Sequence, residues 1–68
     1  MIDLRKLRKS KGYTQADVET ATGIDATSQS FYENGLRTPT IKDAKKYGEF
    51  YGFRWSDIYE DEPYEGRI

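Results

Sequence analysis

Neither cysteine nor histidine occurs in this chain of 68 residues. The first absence excludes disulfide staples and thiolate chemistry, and the two together exclude the common zinc sites. Acid–base catalysis would fall to carboxylates and tyrosines alone, and no pair of these marks an evident cleft. The chain is therefore not expected to be an enzyme or to carry a metal or cofactor. No apolar run approaches bilayer length, and the opening MIDLRKLRKSK lacks the apolar centre of a signal peptide, so a cytoplasmic protein with no membrane partner is the expectation. No stretch alternates polar and apolar residues as a half-buried strand does, and no internal repeat occurs. What remains is one small helical domain, near the lower size limit for folding alone, which needs efficient helix packing or a partner subunit.

The formal net charge of -1 speaks weakly against a nucleic-acid partner, but it sums two unlike regions. Arg5, Lys6, Arg8, Lys9 and Lys11 crowd the N-terminus, and Arg37, Lys42, Lys45 and Lys46 follow the central stretch. Asp57, Glu60, Asp61, Glu62 and Glu65 gather at the end. Of 11 bases and 12 acids, residues 57–68 hold one and five, which leaves ten bases against seven acids elsewhere. The body is net positive beneath an acidic end, a distribution that suits a polyanion, although an ordinary solvated surface would also carry it.

Capping residues punctuate the chain. Asp3 can cap a helix with Leu4 and Leu7 inward that ends near Lys11 and Gly12. Thr14 can cap a second that ends at Gly23, with Val18 and Ala21 inward. Asp25 can cap a third that carries Phe31 and Tyr32 and stops at Asn34-Gly35. Thr40 and Asp43 stand at capping-box spacing at the head of a fourth helix, along which Ile41, Ala44, Tyr47 and Tyr51 share one face. After Gly52, a short fifth helix from about Trp55 to Tyr59 is predicted. Residues 1–59 thus form one domain, and residues 60–68 an acidic C-terminal tail in which Tyr64 and Ile68 are the groups able to dock.

The pieces LRKLR at Leu4 to Arg8, KGYTQ at Lys11 to Gln15, Gly23-Ile24, YENGLRTP at Tyr32 to Pro39 and GFRWSDIY at Gly52 to Tyr59 follow one another along the chain. In these pieces, their order and their spacing without gaps, the chain resembles the Cro/C1 (Xre) family of phage and bacterial regulators over about residues 3 to 59. The resemblance implies an all-α, compact five-helix bundle of the lambda repressor type, with helices two and three as a helix-turn-helix. The implied function is that of a sequence-specific, Cro/repressor-like transcriptional regulator. It would insert its third helix in the major groove of an inverted-repeat operator on double-stranded DNA, as a homodimer. A second reading makes the chain a protein-binding antirepressor or antitoxin-like module on the same fold, with a repressor or antirepressor protein as partner.

The site residues follow from that resemblance. Thr14 and Gln15 place a hydroxyl and an amide at a helix N-terminus, which suits a phosphate; a capping box in which Asp17 closes on Thr14 fits the same residues, and both can hold together. Arg8 and Glu33 take positions that pair across helices one and three, unless Arg8 is one more exposed base. Ala26, Thr27 and Ser28 fall on the base-reading turn, with Phe31 one turn on. None is Arg, Lys or Gln, so a methyl-reading surface is what remains. Phe31 fits that surface or a buried or dimer contact. Asn34 holds a nearby carboxamide, and Arg37, Thr38 and Lys42 are expected to touch phosphates.

Three positions depart from the family pattern. Glu19 stands where Ala is usual, and Gln29 and Thr22 where apolar residues are usual. Either Glu19 bonds Gln29 or Thr22 in a polar network, the favoured outcome, or the helices splay, or the third helix is irregular. The aromatics Tyr13, Tyr32, Tyr47, Tyr51, Phe53, Trp55 and Tyr59 are expected to cement Leu4, Leu7, Val18, Ile24, Leu36, Ile41 and Ile58 into one core. Phe50, on another face of the fourth helix, is expected to join Trp55, Tyr59 or the tail in a homodimer patch.

Overall fold

Each helix begins where a short polar side chain accepts backbone N–H groups that the first turn leaves without partners. The computed structural model describes residues 2–59, so the acidic tail, with Tyr64 and Ile68, lies outside the described residues. Helix α1 spans Leu4–Ser10, with Asp3 accepting from the Lys6 amide at 3.0 Å. Helix α2 spans Gln15–Thr22 behind a closed capping box: Thr14 Oγ1 accepts from the Asp17 amide at 3.1 Å and Asp17 Oδ2 from the Thr14 amide at 2.9 Å. Helix α3, Ala26–Glu33, starts on Asp25, whose carboxylate accepts from the Ser28 amide at 2.7 Å and is held below the usual carboxylate range by that bond. Helix α4 spans Ile41–Tyr51 on Thr40. There the box stays half made, because the Asp43 carboxylate turns away to accept from the Tyr32 hydroxyl. That bond joins α3 to α4.

The helices close on left-handed glycines where the sequence calls for them, at Gly23 (φ 81°) after α2 and Gly52 (φ 90°) after α4. At the end of α3 the left-handed residue is Gly35 (φ 74°), while Asn34 keeps a φ of -94°.

The expected fifth helix is a single 3-10 helix, Trp55–Tyr59. Four α-helices and this short element make up the described residues, so the five-helix bundle is corrected to four. Five residues after the Gly52 turn cannot sustain α-helical hydrogen bonding, and tighter i→i+3 pairing satisfies such short pieces.

Leu4, Val18, Ile24, Ala44, Tyr47 and Ile58 form the core, with Ile2, Tyr32, Phe50, Tyr51, Phe53 and Tyr59 packed around it. Full burial of a Val or Ile side chain contributes about 1.5–3 kcal/mol. The 3-10 helix packs on α4, α2 on both α3 and α4, and α1 on α3. The approach of the 3-10 segment depends on Gly48, because a Cβ there would lie 2.7 Å from the Phe53 carbonyl oxygen.

Three aliphatic residues expected in the core are outside it: Leu36 is 69% and Ile41 57% exposed, and Leu7 is half-buried outside the cluster; Ala21, expected inward on α2, is exposed as well. Ile41 opens α4, where the side chain leans back past the end of the packed surface, and Leu36 lies in the loop beyond Gly35. Tyr13 and Trp55 also remain exposed. Among the described residues no helix is long and apolar enough to cross a membrane.

Candidate nucleic-acid interface

Helices α2 and α3 are joined by Gly23-Ile24-Asp25, a three-residue turn whose central Ile24 is buried. That is the geometry of a helix-turn-helix. Its interior is polar at one point, because Gln29 is completely buried. Gln29 Nε2 donates to the Gln15 carbonyl at 2.9 Å and to the Ile24 carbonyl at 2.9 Å, so one side chain fastens α3 to the first residue of α2 and to the turn. The expected pairing of Glu19 with Gln29 or Thr22 is not formed. Glu19 is exposed to solvent, and Thr22 serves its own backbone, donating to the Val18 carbonyl at 2.7 Å and accepting from the Ile24 amide at 3.1 Å. The backbone carbonyls of Gln15 and Ile24 supply what a carboxylate was expected to supply.

Glu33 is the second organising residue. Its side chain is only 2% exposed and receives Arg8 through Nε at 2.8 Å and Nη2 at 3.1 Å, a two-pronged pair. Gln15 Nε2 donates to the same carboxylate at 3.3 Å and to the Ser30 hydroxyl at 3.4 Å. Arg5 Nε lies 3.7 Å from Glu33, and its guanidinium also donates to the Asn34 side-chain oxygen. Burial pushes the Glu33 carboxyl up, but the hydrogen bonds and charge of Arg8, aided by Gln15 and Arg5, outweigh it and hold the group below the usual glutamate range. Donating to Glu33 in turn raises Arg8 against its own burial. Arg8 Nη1 reaches the Tyr13 carbonyl at 3.0 Å, which ties the α1–α2 loop into the same network.

Arg5 and Ser30 were not singled out from sequence. Arg5 precedes Arg8, and Ser30 precedes Glu33, by three residues, so each shares a helix face with its partner. That spacing is the signal that would have found them.

The structure brings Gln15, Glu33, Arg8 and Asn34 into one connected cluster. Thr14 is exposed at the α2 cap. On the first turn of α3, Thr27 is exposed and Ala26 and Ser28 are half-buried. Phe31 is also half-buried, stands outside the core, and carries the Arg37 guanidinium 4.5 Å from its ring centroid. Thr38 is exposed in the α3–α4 loop and Lys42 on the first turn of α4.

The aromatic patch divides. Trp55 and Tyr59 meet edge to face at 6.2 Å, Lys45 lies over the Trp55 ring at 5.3 Å, and the Tyr59 hydroxyl donates to the Pro39 carbonyl at 2.6 Å. Phe50 packs instead, with tilted rings, against Tyr13 at 5.3 Å and Tyr51 at 4.9 Å between centroids. Among the described residues, α4 thus sends Phe50 toward the α1–α2 loop, away from the Trp55–Tyr59 pair.

A capped two-helix unit with a tight glycine turn, steadied by a buried carboxylate on its second helix that pairs with an arginine of the preceding helix, defines the helix-turn-helix class. The family profile described as Helix-turn-helix matches residues 4–58, and the chain belongs to this family, in its Cro/C1 type. Similar to it is the protein of Bacillus subtilis (strain 168) named "Uncharacterized HTH-type transcriptional regulator YqaF", 41% identical over 58 residues that cover 85% of this chain and 76% of that protein. No solved structure matches the chain significantly.

Proposed function

We propose that the chain is a sequence-specific DNA-binding transcriptional regulator, Cro/repressor-like, that enters the major groove with α3. The observation that carries this reading is the Glu33 cluster. It fixes Gln15 at the N-terminus of α2 against α3 while leaving the first turn of α3, with Thr27 outward, open to solvent. A rigid helix pair with an exposed N-terminal turn on its second helix is what groove reading needs. In this reading Thr14, Gln15, Thr38 and Lys42 hold the sugar–phosphate backbone, and Ala26, Thr27, Ser28 and Phe31 face base edges and thymine methyls.

The operator is an inverted repeat and the protein binds it as a homodimer. Support comes from the surface on which Ile41, Lys45, Trp55 and Tyr59 adjoin, where Ile41 is 57% and Trp55 37% exposed. A homodimer that reads two half-sites needs its two α3 helices about one DNA turn, roughly 34 Å, apart.

The test is an anisotropy titration of the whole chain against duplexes from its own upstream DNA and a scrambled control, at low and moderate salt. Binding that favours one upstream site by about a thousandfold or more, and weakens linearly in log salt, is expected. No binding at micromolar protein, or binding blind to both salt and sequence, refutes the reading.

The second reading, a protein-binding antirepressor or antitoxin-like module, is favoured by the exposed Leu36 and Ile41, two large aliphatic side chains on the surface. Bulky replacements of Thr27 and Ser28 separate the two. Direct reading loses operator binding in a folded variant, whereas a protein-binding module keeps its partner.

A further inference from the structure

Helix α3 presents Ala26, Thr27 and Ser28 on its first turn, and none of these makes the two-pronged purine contact on which most direct readout relies. The nearby carboxamides are committed. Gln29 is buried with both donations spent on backbone carbonyls, and the Asn34 oxygen receives Arg5. One guanidinium, however, is brought to this face from outside the helix. Arg37 lies over the Phe31 ring at 4.5 Å. Its position is fixed twice, since the Leu36 and Arg37 amides both donate to the Phe31 carbonyl, at 2.9 and 3.2 Å, folding the loop beyond Gly35 back on the last turn of α3. Phe31 is four residues on from Thr27 and three from Ser28, so the ring and the guanidinium above it prolong the face that those residues begin.

Resting on the DNA-binding reading, we infer that Arg37 is a specificity-determining residue that reads a guanine in the major groove, with Phe31 as its platform. The ring attracts the cation through its π-face and sets the guanidinium plane, yet it uses none of the five in-plane N–H donors. Those donors stay available to guanine O6 and N7, the commonest specific arginine contact. Among the described residues Arg37 pairs with no carboxylate, in contrast to Arg5, Arg8 and Arg54. The apolar remainder of the ring suits a neighbouring thymine methyl, so the pair reads a guanine beside a thymine.

The test is selection of binding sites from random duplexes by the whole chain and by two variants, Arg37→Lys and Phe31→Leu. Neither residue belongs to the core, and both variants should keep the helical circular dichroism of the parent. The parent is expected to enrich a guanine next to a thymine in each half-site and to lose about 5- to 150-fold in affinity when that guanine is replaced, the range of a good bidentate contact. Arg37→Lys keeps the charge and hence the salt slope, but its discrimination at that base pair should fall toward none. Phe31→Leu should lose most of the same discrimination. Selection of the same guanine with undiminished discrimination by either variant overturns the inference while leaving DNA binding intact. Failure of the parent to select any sequence overturns the DNA-binding reading, and this inference with it.

Discussion

The side-chain amide nitrogen of Gln29 stands 2.9 Å from the carbonyl oxygen of Gln15, so a buried hydrogen bond fastens the interior of α3 to the start of α2. The other end of the same carboxamide is buried without a partner among the described residues. An unsatisfied buried acceptor costs about 1–3 kcal/mol, which the two donated bonds offset.

Gln29→Glu replaces that donor with an oxygen facing two carbonyl oxygens. Denaturant unfolding at neutral pH should reveal a loss of about 3 kcal/mol or more, the scale of an unpaired buried charge. Gln29→Met, close in volume, should lose no more than about 1.5 kcal/mol. The new carboxyl would have a folded pKa above its unfolded one. Its penalty relative to the parent is therefore full above that folded value and shrinks as pH falls, when protonation restores a donor. A penalty independent of pH would mean that the Gln29 donor does not fix the turn.

The Arg8–Glu33 pair makes stability depend on acid. Glu33 is held below its ordinary value of 4.5, so its contribution is complete above that value and is lost as pH falls through the lower folded one. Glu33→Gln should flatten this limb of the stability curve, and Arg8→Met should cost about 3 kcal/mol at neutral pH by stranding a carboxylate that is 2% exposed. Equal acid limbs in the parent and Glu33→Gln would locate the dependence elsewhere.

At Gly48 an alanine Cβ would lie 2.7 Å from the Phe53 carbonyl oxygen and 3.1 Å from the Trp55 amide nitrogen. Both are backbone atoms, so the 3-10 segment itself must move. Alanine's better helix propensity, about 1 kcal/mol, does not compensate, and Gly48→Ala should lower the melting temperature with a net loss of about 1–2 kcal/mol. A higher melting temperature would show that the close approach is dispensable.

Tyr47 is 2% exposed and its hydroxyl has no partner among the described residues. Tyr47→Phe should therefore raise stability by about 1 kcal/mol at neutral pH. Burial, and then the charge of Glu33, push this phenol well above its usual value of 10.0. Its contribution is full below that value and is lost as pH rises through the folded one. The phenylalanine variant should resist alkaline unfolding to higher pH, read by circular dichroism.

The frame of the fold was legible because caps are local. Asp3, Thr14, Asp25 and Thr40 each satisfy amides within three residues of themselves, and the terminal glycines act through their own φ. The family was legible for the same reason, its motifs being short and in order. What was not legible depended on where distant backbone lies. Whether Gln29 finds acceptors is decided by the Gln15 and Ile24 carbonyls, and the need for Gly48 by the Phe53 carbonyl. Helical periodicity put Ile41 inward, but it takes no account of a helix that begins beyond its support. Of the candidate site, residue types and order were readable; the seating of Arg37 on Phe31 arises from a loop turning back after Gly35.

The most direct test of DNA reading through α3 is a titration of the isotope-labelled chain with its upstream duplex, followed by amide chemical shifts. Shifts concentrated at Thr14, Gln15, the Ala26 to Phe31 turns, Arg37 and Thr38 are predicted. Shifts confined to Trp55–Tyr59 and the exposed Ile41, or none at saturating duplex, would contradict the account.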